Sequence, residues 1–293
     1  MRMIFYVICA IIFAFPGLAT AYDILVVQDQ RSPIYDTLLH GFRSGHHFKE
    51  RVIVLQDFAE NDLVRIVRED QPALVLAVGG RALAETRAIR QTPLVSVFSY
   101  GIQLTDPPSN LVRVKMLAQA ERFAALFRAL GAKRVGTVLS RSSSSYAAQA
   151  AETFRQAGIR LVVREARKPG EVAKQLEVLK DTVDALWLMP DPAIVTSETV
   201  EAIALCSMRH RLPLVSFSYA HLKKGAVAAF AIDLEDLGKQ AAETVSRIMA
   251  GESPVDIEEI TPRKNRLRFN RQVMEHLGLS VNPLQHLGGI PME

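Results

Sequence analysis

From Asp23 onward, short apolar runs rich in β-branched residues alternate with stretches whose apolar residues recur at helical spacing. Ile24 to Val27, Val52 to Leu55, Leu74 to Val78 and Leu94 to Phe98 read as strands buried on both faces. Between them, Tyr35 to Phe48, Asn61 to Glu69 and Gly80 to Arg90 carry the spacing of amphipathic helices. Strand and helix in alternation imply a parallel sheet covered on both sides. A polar stretch with prolines, Thr105 to Asn110, interrupts the rhythm, and the pattern then restarts.

The second half predicts strands at Val135 to Leu139, Leu161 to Val163, Ala185 to Met189 and Leu214 to Phe217. Its helices are expected at Leu117 to Leu130, Tyr146 to Ala157, Glu171 to Leu179 and Ala193 to Arg209. The string Pro93-Leu94-Val95-Ser96-Val97-Phe98-Ser99-Tyr100 parallels Pro213-Leu214-Val215-Ser216-Phe217-Ser218-Tyr219, each following a strand-and-helix unit. Matched strings at matched positions imply an α/β protein of two lobes with parallel sheets, built alike. A strand from Ala226 to Ile232 ends in Asp233, and a helix from Leu234 to Met249 is closed by Gly251. The basic strand Arg266 to Phe269 follows, then Asn270 caps a helix through Leu277 that Gly278 stops. Asn282 to Glu293, with its glycines and prolines, reads as a loose tail.

The N-terminus predicts the compartment. Arg2 precedes an apolar run from Ile4 to Phe15, Pro16-Gly17 breaks it, and Ala19-Thr20-Ala21 supplies an A-x-A cleavage site. The run is too short for the ~20 apolar residues that span a bilayer. Residues 1–21 are therefore expected to be a signal peptide, cleaved after Ala21 and leaving an exported protein, periplasmic in a Gram-negative cell.

Composition narrows the classes. The chain has 293 residues, of which 49% are hydrophobic and 23% charged, enough to bury a large core without disulfides. Its two cysteines are Cys9, inside the leader, and Cys206, which reads as a core residue of a helix, so no internal disulfide is expected. The formal charge of +4 is spread along the chain without a long basic run, and no nucleic-acid groove is indicated. G-x-S-x-G, GxxxxGK[ST], H-E-x-x-H and GxGxxG are all absent, so nothing argues for an enzyme or a cofactor. His40 and His46-His47 lack an acidic or thiol companion and read as an exposed helix end rather than a metal site.

In open α/β sheets ligands bind beyond the C-terminal ends of the strands. The residues there are Gln28, Asp29, Arg31 and Ser32, then Gly79, Gly80 and Arg81, then Ser99 and Tyr100. The second half offers Ser140, Arg141, Ser142, Ser143, Ser144, Ser145 and Tyr146, then Asp191, Ser218, Tyr219 and Asp233. Gly79-Gly80 and the serine run lie where a helix begins; each presents amide groups suited to an anion, or the serines cap the helix. Tyr35, Tyr100, Tyr146 and Tyr219 either sandwich a flat ligand or pack the lobes. Asp191 and Asp233 either take a ligand ammonium or cap helices.

The stretch from Leu186 to Ile257, with its Asp191 loop, Lys223-Lys224-Gly225-Ala226 strand entry and Asp233 helix, resembles the periplasmic substrate-binding proteins of ABC transporters with the type 1 fold. Within that family it is similar to the branch that includes tryptophan- and tyrosine-binding members, and Leu267 to Val281 resembles the branch's terminal strand and helix. The resemblance implies two Rossmann-like lobes joined by three crossover segments, near Val112, Asp233 and Thr261, that close over a ligand. Lobe 1 is then 22–112 with 234–260, and lobe 2 is 113–233 with 261–281. Where the branch carries an Asn-Val-Thr-Gly motif, this chain keeps Asn110 without the Thr-Gly pair. Arg31, Arg81 and Arg141, facing inward, would make the cleft more cationic and suit a more anionic ligand.

The implied function is capture of a small solute, an amino acid or another small anionic or zwitterionic molecule, by a monomer that delivers it to an inner-membrane ABC permease. The alternative is a ligand-sensing or accessory periplasmic module that regulates a membrane partner without transport. Neither requires a metal or nucleic acid.

Overall fold

The computed structural model describes residues 22–57, 62–99, 107–116, 118–191 and 193–292, apart from the side chains of Ser142 and Ser145. The expected leader and Tyr100 lie outside the described residues. The strands β1 (Ile24–Gln28), β2 (Glu50–Val54), β3 (Leu74–Val78), β4 (Leu94–Val97) and β5 (Leu111–Val114) form a parallel sheet in the order β2-β1-β3-β4-β5. Helices α1 (Pro33–Ser44), α2 (Leu63–Asp70) and α3 (Gly80–Thr86) connect them. Ile24 and Val26 face one core and Leu25 and Val27 the other. Burial on both faces is why these strands read as unbroken apolar runs. β5 was not expected; in Leu111-Val112-Arg113-Val114 one face is only half-buried, and Arg113 on it breaks the apolar run that marks the other strands.

The second sheet begins after α4 (Ala120–Ala129). It is built from β6 (Arg134–Leu139), α5 (Ser144–Gln156), β7 (Arg160–Glu165), α6 (Val172–Leu179), β8 (Ala185–Trp187), α7 (Ser197–His210), β9 (Leu214–Ser216) and β10 (Ala228–Ile232). The chain then makes α8 (Leu234–Met249), β11 (Asn265–Phe269), α9 (Arg271–His276), α10 (Asn282–His286) and β12 (Ile290–Pro291). The strand order is β12-β11-β10-β9-β8-β6-β7, parallel throughout except between β10 and β11. The order β2-β1-β3-β4 recurs as β7-β6-β8-β9, and the two Pro-Leu-Val-Ser strings are β4 and β9, at equivalent places.

Among the described residues the chain passes between the sheets three times: after Val114, at Asp233, and between Ile260 and Asn265. Leaving the second sheet, α8 packs on the first against α1. The two helices meet backbone to backbone: a side chain at Gly41 would strike the Glu235 carbonyl, and one at Gly238 would strike that of Leu38. The crossings are tied together. Lys115 N donates to Ile260 O at 2.7 Å and Ile260 N to Arg113 O at 2.9 Å, while Glu259 pairs with Arg113 and with Lys115. Arg263 reaches Asp236 at 3.0 Å and Glu243 at 2.8 Å. Burial would raise the pKa of Asp236, but Arg263 and Lys264 outweigh it and hold the carboxyl below its usual range.

The tail expected to be loose is ordered. Leu284 in α10 is buried, β12 adds to β11 in parallel, and Met292 N donates to Phe269 O at 2.8 Å. The reason is that β11 would otherwise be an uncovered edge, and Gly278 and Gly288, both with positive φ, turn the chain back onto it. His46, expected to be exposed, has its side chain buried between Phe42 and Phe48, with Nε2 3.1 Å from Glu50. No helix among the described residues is long and apolar enough to cross a membrane.

Candidate functional site

In the first sheet, the chain leaving β1 at Gln28 runs beside the loop between β3 and α3. Asp29 N donates to Val78 O at 3.1 Å, and its carboxylate accepts from Ala82 N at 2.6 Å and Arg81 N at 3.2 Å. Gly79, at φ +113°, leaves the space this carboxylate fills. Asp29 thus takes the Arg81 and Ala82 amides of the helix start, and Gly79 N donates to Val97 O at 2.9 Å. Burial raises the pKa of Asp29, and the two amide hydrogen bonds oppose that rise.

The expected cationic cleft is also corrected in part. Arg31 pairs with Asp57 at 2.5 Å and Arg81 with Glu85 at 2.7 Å. Arg141 is exposed and has no ion pair among the described residues. Ser32 caps α1, accepting from Ile34 N at 3.4 Å, and Ser99 Oγ lies 3.4 Å from Ser96 Oγ. Gln28 is 5% exposed, and its Oε1 has no hydrogen-bond partner among the described residues. Near the same end of the sheet, Tyr35 meets Phe98 edge-on with ring centroids 5.3 Å apart. Burial, assisted by the charge of Asp29, pushes the Tyr35 hydroxyl up to about 12. Phe98 sits at φ +63°, a conformation an aromatic residue rarely adopts, and its place in a continuous apolar run gave no sign of it.

The second sheet repeats the arrangement with the carboxylate moved. Asp191, 1% exposed, follows β8 and accepts from Ser140 N at 2.7 Å, Ser140 Oγ at 3.0 Å and Ala193 N at 3.0 Å. An aspartate therefore fastens the end of the first strand to the end of the third in each lobe. Three protein donors meet the Asp191 carboxylate in this structure, which gives it a structural role at the strand ends. Asp233 likewise caps α8, accepting from Asp236 N at 3.1 Å. Ser218 accepts from Ala220 N at 3.3 Å at the head of the turn Tyr219–Lys224. Tyr219 donates to Arg266 O at 2.8 Å under the Arg268 guanidinium, which lies 4.9 Å from the ring centroid.

Tyr146 belongs mainly to the core. Its ring centroid lies 6.2 Å from that of Trp187, its hydroxyl donates to Ala118 O at 3.4 Å, and burial drives its pKa well above the usual phenol range. Ser144 Oγ turns back to Arg141 O at 2.8 Å. Ser143, the residue that opens α5, is different: it is 6% exposed, and its Oγ has no partner among the described residues. A buried polar atom without a partner costs about 1–3 kcal/mol. The structure therefore leaves two such atoms among the expected site residues: an acceptor on Gln28, the last residue of β1, and a hydroxyl on Ser143, past the end of β6.

A family model described as ABC transporter substrate binding protein matches residues 60–284. The ABC domain in complex with L-Trp from Streptococcus pneumonia superposes with a TM-score of 0.66 at 19% identity, covering 92% of this chain and 100% of that one. A ligand-free, open substrate binding protein with adhesive properties from Clostridium difficile gives 0.65 at 18% identity over 89% of this chain and 96% of that one. These likenesses show the fold. A tyrosine-binding protein of Clostridioides difficile is 25% identical over 109 residues, which is 37% of this chain and 31% of the relative, so the match spans about a third of that protein.

Proposed function

The chain belongs to the ABC transporter substrate-binding protein family, and from that premise we propose that it captures an amino acid between its two lobes and delivers it to an inner-membrane ABC permease, performing no chemistry itself. The observation that carries the reading is the pair of buried groups unpartnered among the described residues, Gln28 at the end of β1 and Ser143 at the helix start that follows β6. Gln28 Oε1 is an acceptor and suits a ligand ammonium. Ser143 Oγ, at the start of α5 and two residues from the exposed Arg141, suits a carboxylate. A zwitterion satisfies both. Tyr35 and Phe98 offer an aromatic face to its side chain, and the tryptophan and tyrosine relatives support the same class.

In this reading the lobes close about the three tied crossings. The aspartate fastenings at Asp29 and Asp191 keep each lobe rigid while the hinge moves.

The test is a thermal-shift screen of refolded protein, starting at Tyr22, against amino acids, small carboxylates and sugars. L-Tyr or L-Trp at millimolar concentration, bound with micromolar affinity, adds about 4 kcal/mol and raises Tm by several degrees. Gln28→Ala and Ser143→Ala each weaken that ligand roughly 5- to 30-fold. A screen in which no amino acid shifts the protein overturns the reading.

A further inference from the structure

The two sheets end differently at their edges. β12 is two residues long and contains Pro291, β5 is bridged by Ile260, and on β2 Glu50 pairs with Arg43 and Arg51 pairs with Asp70. Each of these is a recognised way of blunting an edge against further pairing. β7 also carries charges, Arg160, Arg164 and Glu165, but with six residues it is the longest of the four edge strands, and among the described residues it pairs only with β6.

Arg160 N donates inward to Lys133 O and Ala166 N to Leu139 O, so alternation turns the main-chain groups of Leu161, Val163 and Glu165 outward. On the side of α6 the strand presents Arg160, Val162 and Arg164. Together with Arg134, which lies opposite Arg160 in register, they line a cavity of about 360 Å³ closed by Val178 and Thr182. Like charges directly opposite on neighbouring strands are destabilising. Among the described residues one carboxylate answers the three guanidinium groups: Asp184 pairs with Arg134 at 2.7 Å. Arg164 Nε donates to the neutral Gln175 Oε1 at 3.0 Å, and Arg160 has no ion pair among the described residues. Glu165 lies on the opposite face of the strand, and the nearby Glu177 is taken by Lys180 at 2.7 Å. Val163 is 41% exposed on that opposite face and Val178 46% exposed on the flank of α6.

The geometry points to β7 as a docking edge for an extended acidic segment of a partner protein, which adds a strand to the second sheet. Side chains on one face of a strand repeat every ~6.6 Å, so carboxylates four residues apart in the segment face Arg160 and Arg164, with an apolar residue between them over Val162. Its main chain takes the outward groups of Leu161, Val163 and Glu165, and its flanks cover Val163 and Val178. This surface is separate from the amino-acid reading and does not depend on it.

The test is fluorescence anisotropy with the peptide Thr-Asp-Thr-Val-Thr-Glu-Thr, labelled with fluorescein, against the same composition reordered as Thr-Thr-Val-Asp-Glu-Thr-Thr. The first peptide is expected to bind saturably and the second at least tenfold more weakly. Arg160→Glu and Arg164→Glu each reduce binding roughly tenfold. Val163→Pro removes an outward N–H without touching the β6 ladder or the arginines, and abolishes binding while the circular dichroism spectrum stays that of the parent. Equal binding of the two peptides, binding untouched by Val163→Pro, or no saturable binding at all overturns the proposal; the first two results would mean adsorption to a cationic surface only.

Discussion

The carboxylate of Asp29 stands where a side chain at Gly79 would have to be, and it holds the first amide groups of α3 from that position. Residues fifty apart in sequence are thereby joined at the mouth of the first lobe. Asp29→Ala is expected to cost about 1–2 kcal/mol through loss of the cap. Gly79→Ala costs more, about 2–4 kcal/mol, because it combines a forbidden contact with a left-handed φ. Urea denaturation of the ligand-free protein checks both. A loss of solute affinity in Asp29→Asn without a loss of stability would instead return Asp29 to direct ligand contact.

A second prediction concerns the approach of α1 to α8. Gly41 and Gly238 each face a backbone carbonyl of the other helix, and Gly45 faces Ala242, so the small residues recur at four-residue spacing on both. Gly238→Ala must separate the helices, and α8 is the element that returns the chain from the second sheet to the first. The expected loss is about 2–4 kcal/mol, or some 4–12 °C in Tm. Lys239→Ala, one residue along with its side chain partly exposed to solvent, is the control and should change Tm by no more than a degree or two.

These relationships explain how far the sequence could be read. The buried strands were legible because Ile24 to Val27 or Leu74 to Val78 are apolar on both faces, and the lobe repeat because β4 and β9 share a string. β5 was not, since Arg113 on its half-buried face breaks the pattern. The ends of the strands could be located, but not the fate of each polar group there. Asp29 and Asp191 are fixed by partners about fifty residues away, and no local pattern distinguishes them from ligand contacts. The orphaned Gln28 and Ser143 were among the expected residues, but only packing separates them from their satisfied neighbours Ser32 and Ser144.

The C-terminal segment carries a third prediction. Leu284 is buried and β12 covers the outer edge of β11, so truncation before Asn282 removes a buried apolar side chain and leaves the outer edge of β11 unpaired. A loss on the order of 2–4 kcal/mol follows, with a tendency of the truncated protein to self-associate. Calorimetry and light scattering on the two forms decide it. A truncated protein with unchanged Tm would mean that the segment contributes nothing to the stability of the second lobe.

The last prediction is a pH dependence set by two histidines in different lobes. Burial lowers the pKa of His46, outweighing the charge and hydrogen bond of Glu50, which raise it. Burial also lowers that of His221, with Lys224 adding to the effect, while its Nδ1 lies 2.6 Å from Ser216 Oγ. Both residues favour the neutral form in the folded protein, whereas in the unfolded chain they titrate near 6.5. Between that value and their lower folded values the unfolded chain binds more protons, so stability rises with pH across the window. The contribution is fully present above about 6.5 and is lost as the pH falls through the folded values. His46 Nδ1 accepts from Phe48 N at 3.0 Å, and protonation of that nitrogen replaces an acceptor with a donor facing a donor. Tm measured from pH 7.5 down to 5 should therefore fall in the parent protein and fall less steeply in the double variant His46→Gln, His221→Gln. Parallel curves for the two proteins would assign the acid sensitivity to carboxylates instead.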